Sequence, residues 1–83
     1  MTLSTSFPLS QAPEGARLRI LAFTQETFWH NRLSDLGIHP GSVVEVMKAT
    51  GPNLPMVVKR GAGRIMVDAV LKHDILVETW SDK

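Results

Sequence analysis

Three histidines and eight acidic residues carry whatever metal or proton chemistry this 83-residue chain can perform. The candidate ligands are His30, His39 and His73, with Glu26, Asp35, Asp68, Asp74 and Glu78 beside them. No two histidines have the i, i+4 spacing that sets two imidazoles on one helix face, and without cysteine there is no thiolate site. Glu26 and His30 do stand four apart and could supply two ligands of an exposed site, although such a pair is more often a solvated helix face. The candidate metal set is therefore Glu26, His30, His39 and His73, for a weakly bound transition-metal ion. A site completed by a second chain fits this scatter better than one closed within a single chain. Catalysis has less support. Ser34, Ser42 and the histidines show no nucleophile–base arrangement in their spacing, so no catalytic residue is assigned.

Other chemistries are excluded on similar grounds. Gly61-Ala62-Gly63 lacks the third glycine of a dinucleotide loop, and Gly51-Pro52-Asn53-Leu54-Pro55 has no Gly-Lys-Ser/Thr, so both read as turns. Arg17, Arg19, Lys48, Lys59, Arg60 and Arg64 could form one basic face if their strands adjoin. No aromatic residues interleave with them for base stacking, and the chain has no tyrosine, so nucleic acid is disfavoured and a solvated face or an acidic protein partner fits better. Lack of tyrosine also argues against a proline-rich-peptide groove, which aromatic rings line.

The elements that must position these residues are short. Residues 16–23 alternate, with Leu18, Ile20 and Ala22 on one face and Arg17 and Arg19 on the other, which predicts a strand. Leu21 and Phe23 fall on the arginine face, so that face is covered near its end, by the helix that follows. Thr24 and Thr27 can cap that helix, and Glu26 suits its positive end. The helix is expected over residues 26–36, with Trp29, Leu33 and Leu36 on one buried face and His30, Asn31, Ser34 and Asp35 off it. Trp29 and Trp80 are expected to anchor packing, with an exposed contact residue as the alternative for Trp80 near the C-terminus. A helix of three turns needs a sheet to pack on.

Gly37 then stands where a left-handed C-terminal cap wants no Cβ, Pro40 cannot continue the helix, and Gly41 permits a sharp turn into a strand at 42–47. Residues 49–53 read as a loop and 54–60 as a strand with Leu54, Met56 and Val58 on one side. Pro55 places it at an edge or puts the proline at its beginning. A hairpin at 61–63 leads to a return strand at 64–67, Asp68 can cap one helical turn at 69–73, and residues 74–80 close the set.

Five strands and one helix in so short a chain predict a small closed or nearly closed barrel, all-β apart from the one inserted helix. A chain this size buries only about 60–65 % of its unfolded surface, enough for one core but not for a cleft between domains. Residues 1–8 are read as a flexible N-terminal extension, 9–80 as the domain and 81–83 as a tail. The start of the chain has no basic n-region or apolar block, no stretch is apolar enough to insert in a membrane, and a cysteine-free chain of net charge +1 is compatible with the cytoplasm.

Several of these segments resemble the ferrous-iron transport protein A (FeoA) family of small cytosolic bacterial domains. Arg32-Leu33-Ser34-Asp35-Leu36-Gly37-Ile38-His39-Pro40-Gly41 is similar to that family's Arg-Leu-x-x-Leu-Gly-(apolar)-x-x-Gly signature. Pro55-Met56-Val57-Val58-Lys59 resembles its Pro-apolar-x-apolar strand, and Gly63-Arg64-Ile65-Met66-Val67 with Ile75-Leu76-Val77 its final strands. The resemblance covers residues 9–79, and one position departs: Lys72 stands where the family commonly has a small residue.

The resemblance implies an SH3-like barrel, a fold shared with the C-terminal domain of iron-dependent repressors. It also implies a non-enzymatic accessory protein that needs no cofactor. The implied partner is a FeoB-type membrane iron transporter, through its cytosolic GTP-binding domain or its membrane domain, which would recruit the chain to the inner face of the cell membrane. The surface expected to contact it comprises Glu26, Trp29, His30, Asn31, Arg32 and His39, because the helix is the one insertion in an otherwise generic barrel. Exposed Met47 or Met66 and the edge strands also leave a homodimer open. The alternatives are a metal-binding regulator, with Fe or Zn at a dimer contact, and a nucleic-acid-binding barrel.

Overall fold

Alternation builds the sheet. In a computed structural model, which describes residues 6–25, 28–49 and 51–81, Leu18 and Ile20 are buried while Arg17 between the turn and the core stays exposed. The same pattern buries Val44 and Val46, Met56 and Val58, then Ile75 and Val77. The elements in order are β1 (Ser6–Pro8), a 3-10 turn (Leu9–Gln11), β2 (Arg17–Phe23), α1 (Phe28–Asp35), β3 (Val43–Lys48), β4 (Met56–Arg60), β5 (Gly63–Val67), a second 3-10 turn (Leu71–Asp74) and β6 (Ile75–Thr79). All strand pairs are antiparallel, in the order β1-β6-β2-β3-β4-β5, so β1 and β5 are the two edges. Register shifts at Ile20/Ala22 and Val46/Lys48 add the local twist that curls so small a sheet around its core.

The strand readings hold with four corrections. Residues 6–8 are not a flexible extension: β1 pairs with β6, Phe7 opposite Val77, and Phe7 packs against the core. Three residues are too few to show an alternation. Residues 1–5 lie outside the described part. Leu54 is exposed and precedes β4, because its N–H closes a turn onto the Gly51 carbonyl at 3.1 Å; Pro55 then stands immediately before the strand.

Asp68 does not cap by its side chain. The 3-10 turn forms at Leu71–Asp74, and the Lys72 N–H donates to the Asp68 carbonyl at 3.0 Å. The fourth correction concerns α1. Its buried residues are His30 and Leu33, whereas Trp29 and Leu36 point outward. The helix is turned by most of one residue step, about 100°, from the face that apolar spacing predicts.

The stretch after α1 follows backbone chemistry closely. Gly37 adopts φ 100°, its N–H donates to Ser34 O at 3.0 Å, and the Ile38 N–H reaches back to Leu33 O at 2.8 Å. Those two bonds are the Schellman pattern, and Ile38 and Leu33 supply its apolar contact within the core. Ser42 N–H then bonds His39 O at 2.9 Å around Pro40 and Gly41 (φ 95°), a turn with proline second and a positive-φ glycine third. The buried Ser42 hydroxyl donates to Gly37 O at 2.7 Å and accepts from the His39 N–H at 3.3 Å, so cap and turn are tied together.

Candidate functional site

Helix α1 is held on the barrel from two sides. On the inner side the His30 ring, 1 % exposed, stacks on Phe23 at 5.0 Å between centroids, and its Nε2 lies 3.8 Å from Asp74 Oδ2. Asp74 in turn fixes the end of β2, its carbonyl accepting from the Thr24 N–H at 2.8 Å and hydroxyl at 3.2 Å. The register shift between Ile20 and Ala22 sets Phe23 opposite the buried Ile75, so Phe23 packs on the core and against the helix, not on the arginine face that strict alternation predicts. At the C-terminal end the Arg60 side chain lies where a Cβ on Gly37 would be, 2.9 Å from its Cδ and Nε. A cation over the last carbonyls of a helix meets the negative end of its dipole.

This mounting leaves an apolar strip in solvent. Trp29 is 60 % exposed, Leu36 57 % and Met66, from β5, 67 %. Together with Arg32, Leu33, Asp68 and Leu71 they line a groove of about 280 Å³ between α1, β5 and the second 3-10 turn. Phe28 packs edge-on against Trp29 at 5.2 Å and extends the strip. Exposed large apolar side chains gathered around one groove mark a contact surface more often than isolated ones do.

The expected contact residues divide between two flanks. Trp29 and Arg32 line the groove. Asn31, exposed, lines a separate cavity of about 400 Å³ with Ala22, Phe23, His30, Ser34 and Pro40. His30 is interior, so its place in the set is corrected: it orients the helix and offers no outer surface. His39 sits in the turn, where Nδ1 donates to Pro40 O at 3.2 Å. Glu26 lies outside the described residues. Sequence reasoning missed Leu36, Asp68 and Leu71 as groove residues. Leu36 was assigned to the core by spacing; Met66, at an outward phase of its strand, was legible as exposed.

Of the metal set, His30, His39 and His73 fall in separate places and Glu26 lies outside the described residues. Among the described residues no three His, Asp or Glu side chains come together as a ligand group. His39 uses one ring nitrogen within its own turn, and His73 Nε2 donates across to Pro52 O at 3.2 Å in the 51–53 loop. Lys72 is 1 % exposed, and its ammonium donates to Gly51 O at 2.9 Å. Lys72 and His73 therefore clasp the 51–53 loop, which gives the departure from the family pattern a structural role.

Nor do the basic residues form a continuous cationic face. Cross-strand register interposes Glu45 between Arg17 and Lys59, and Glu78 pairs with Arg19, whose guanidinium stands 5.3 Å from the Trp80 ring. Trp80 thus covers an ion pair rather than anchoring the core. Arg64 stands opposite Lys59 at the β5 end of this row, and the Arg60 side chain lies against Gly37.

The sequence pattern of the FeoA domain matches residues 7–79. Among solved structures the chain is similar to the FeoA protein from Chlorobium tepidum, with a TM-score of 0.81 at 21% identity over 93% of this chain and 73% of that one. It is similar also to iron(II) transport protein A from Clostridium thermocellum, at 0.78 and 26% identity over 88% and 45% of the two chains. A manganese-dependent transcriptional repressor has the same fold at 0.81 and 12% identity, over 96% of this chain and 45% of that one. No curated protein matches the sequence. The fold is the expected SH3-like small β-barrel, mostly antiparallel sheet with one short helix.

Proposed function

The chain belongs to the FeoA domain family, and on that premise we propose that it is a non-enzymatic accessory protein of ferrous-iron transport that binds the cytosolic part of a FeoB-type, GTP-dependent transporter. It acts at the cytosolic face of the membrane by contact. Among the described residues no helix is long and apolar enough to cross a bilayer. Any influence on GTP hydrolysis falls on the partner's nucleotide, since this chain carries no phosphate-binding loop.

The observation that carries the reading is the groove with Trp29, Leu36 and Met66 in solvent around it. Covering about 300 Å² of apolar surface there would contribute on the order of 7 kcal/mol before the costs of association. Arg32 at the rim adds direction rather than affinity. The reading is tested by co-purification of the tagged chain with its transporter from membranes. Trp29→Ala and Leu36→Glu should each lose the transporter while keeping a wild-type circular dichroism spectrum, and iron uptake should fall with them. Undiminished recovery of the transporter by folded variants would overturn it.

A further inference from the structure

We propose that the groove takes an extended segment of the partner, which adds as a strand to the open edge of β5. The inference rests on the partner-binding reading above and specifies how that contact is made.

Hydrogen-bond register leads to it. β4 and β5 are joined by the two-residue turn Gly61-Ala62, with Gly61 at φ 59° and Arg60 paired to Gly63. A pair closing a two-residue hairpin exchanges both hydrogen bonds, so the alternation of an antiparallel ladder makes Val58/Ile65 and Met56/Val67 the bonded pairs too. The N–H and C=O groups of Arg64 and Met66 consequently face away from β4. β5 is the last strand of the sheet, and neither residue has another backbone bond among the described residues.

An exposed edge beside an apolar groove is a template for an added strand, in which main-chain bonds give affinity and pockets read alternate side chains. Met66 belongs to both features: its backbone is on the edge and its side chain lines the groove with Trp29 and Leu36.

Charge selects the occupant. Arg32 lines the groove, Arg60 lies against Gly37 at the Leu36 end, and Arg64 precedes Met66 by two on the same strand face. None of the three makes an ion pair among the described residues, and Asp68 is the one acid in the lining. The segment that fits carries apolar side chains at alternate positions with Asp or Glu beside them. A second copy of this chain would bring the same arginines against each other, a like-charge contact across strands.

The test uses the full chain and the purified cytosolic part of the transporter as probe. Hydrogen exchange on the unmutated chain should show the Arg64 and Met66 amides gaining at least tenfold protection in the complex. Arg64→Pro removes the edge donor without touching the β4 ladder, a position where edge strands accept proline, and should weaken binding at least tenfold. Arg64→Ala, which keeps the donor, should weaken it only two- to fivefold. Binding lost in Leu36→Glu but unchanged in Arg64→Pro, with both amides still exchanging freely, would overturn strand addition and leave the groove reading standing. No loss in any variant would overturn both. Protection of the two amides in the chain alone, with a doubled mass in sedimentation, would assign the edge to a second copy and overturn the proposal.

Discussion

A single missing Cβ, at Gly37, lets the helix and the barrel meet. The backbone there takes φ 100° and the Arg60 side chain occupies the space a methyl would need. Gly37→Ala should cost about 1–3 kcal/mol, while Gly15→Ala, with φ 85° but nothing within 4 Å, should cost about 1–2 kcal/mol. Adding Arg60→Ala should recover part of the Gly37→Ala loss only. Urea denaturation checks the order, and equal costs with no recovery would contradict the close approach. Lys72 is the second telling residue, because its buried stem packs while its ammonium holds Gly51. Lys72→Ala should lose about 2–4 kcal/mol, and Lys72→Met, which keeps the stem and leaves one carbonyl without its donor, about 1–3 kcal/mol; thermal melts would show the ordering. The sequence revealed Lys72 as unusual but not as buried, since its partner is a main-chain carbonyl twenty-one residues away.

At the scale of elements, what could be read in advance divides along a physical line. The cap and turn from Gly37 to Gly41 were legible because they follow from local backbone preferences. The strands were legible wherever alternation ran for several residues, and β1 was not, because its evidence is a pairing with β6 from the other end of the chain. The helix face went wrong for a related reason. Apolar spacing chose Trp29, Leu33 and Leu36, whereas the ring of Phe23 and the carboxylate of Asp74 give His30 an interior place that hydrophobicity alone does not credit.

Stability therefore separates the two faces. His30→Ala should cost about 2–4 kcal/mol through lost packing, whereas Leu36→Glu on the exposed side should change stability by no more than about 0.5 kcal/mol. Denaturation curves giving the reverse order would restore the face that spacing suggests.

For the molecule as a whole, the barrel is generic and the proposed function rests on the surface features it carries. The same fold serves a manganese-dependent repressor, so fold alone does not choose a role. On this chain's surface the fold sets an apolar groove beside an open strand edge, with Arg32 in the groove lining and Arg64 on the edge strand. The fold was largely legible in the sequence, and the site only in part: Trp29 and Arg32 were named, but the groove exists only because β5 and the second 3-10 turn come to lie beside α1.

The most direct test is an equilibrium titration of the chain against the purified cytosolic part of a FeoB-type transporter, the proposed partner. Leu36→Glu should raise Kd at least tenfold, about 1.4 kcal/mol, while Lys48→Ala on β3 should leave it within about twofold, the scale of an exposed charge away from the contact. An unchanged Kd for folded Leu36→Glu would contradict the groove as the contact surface.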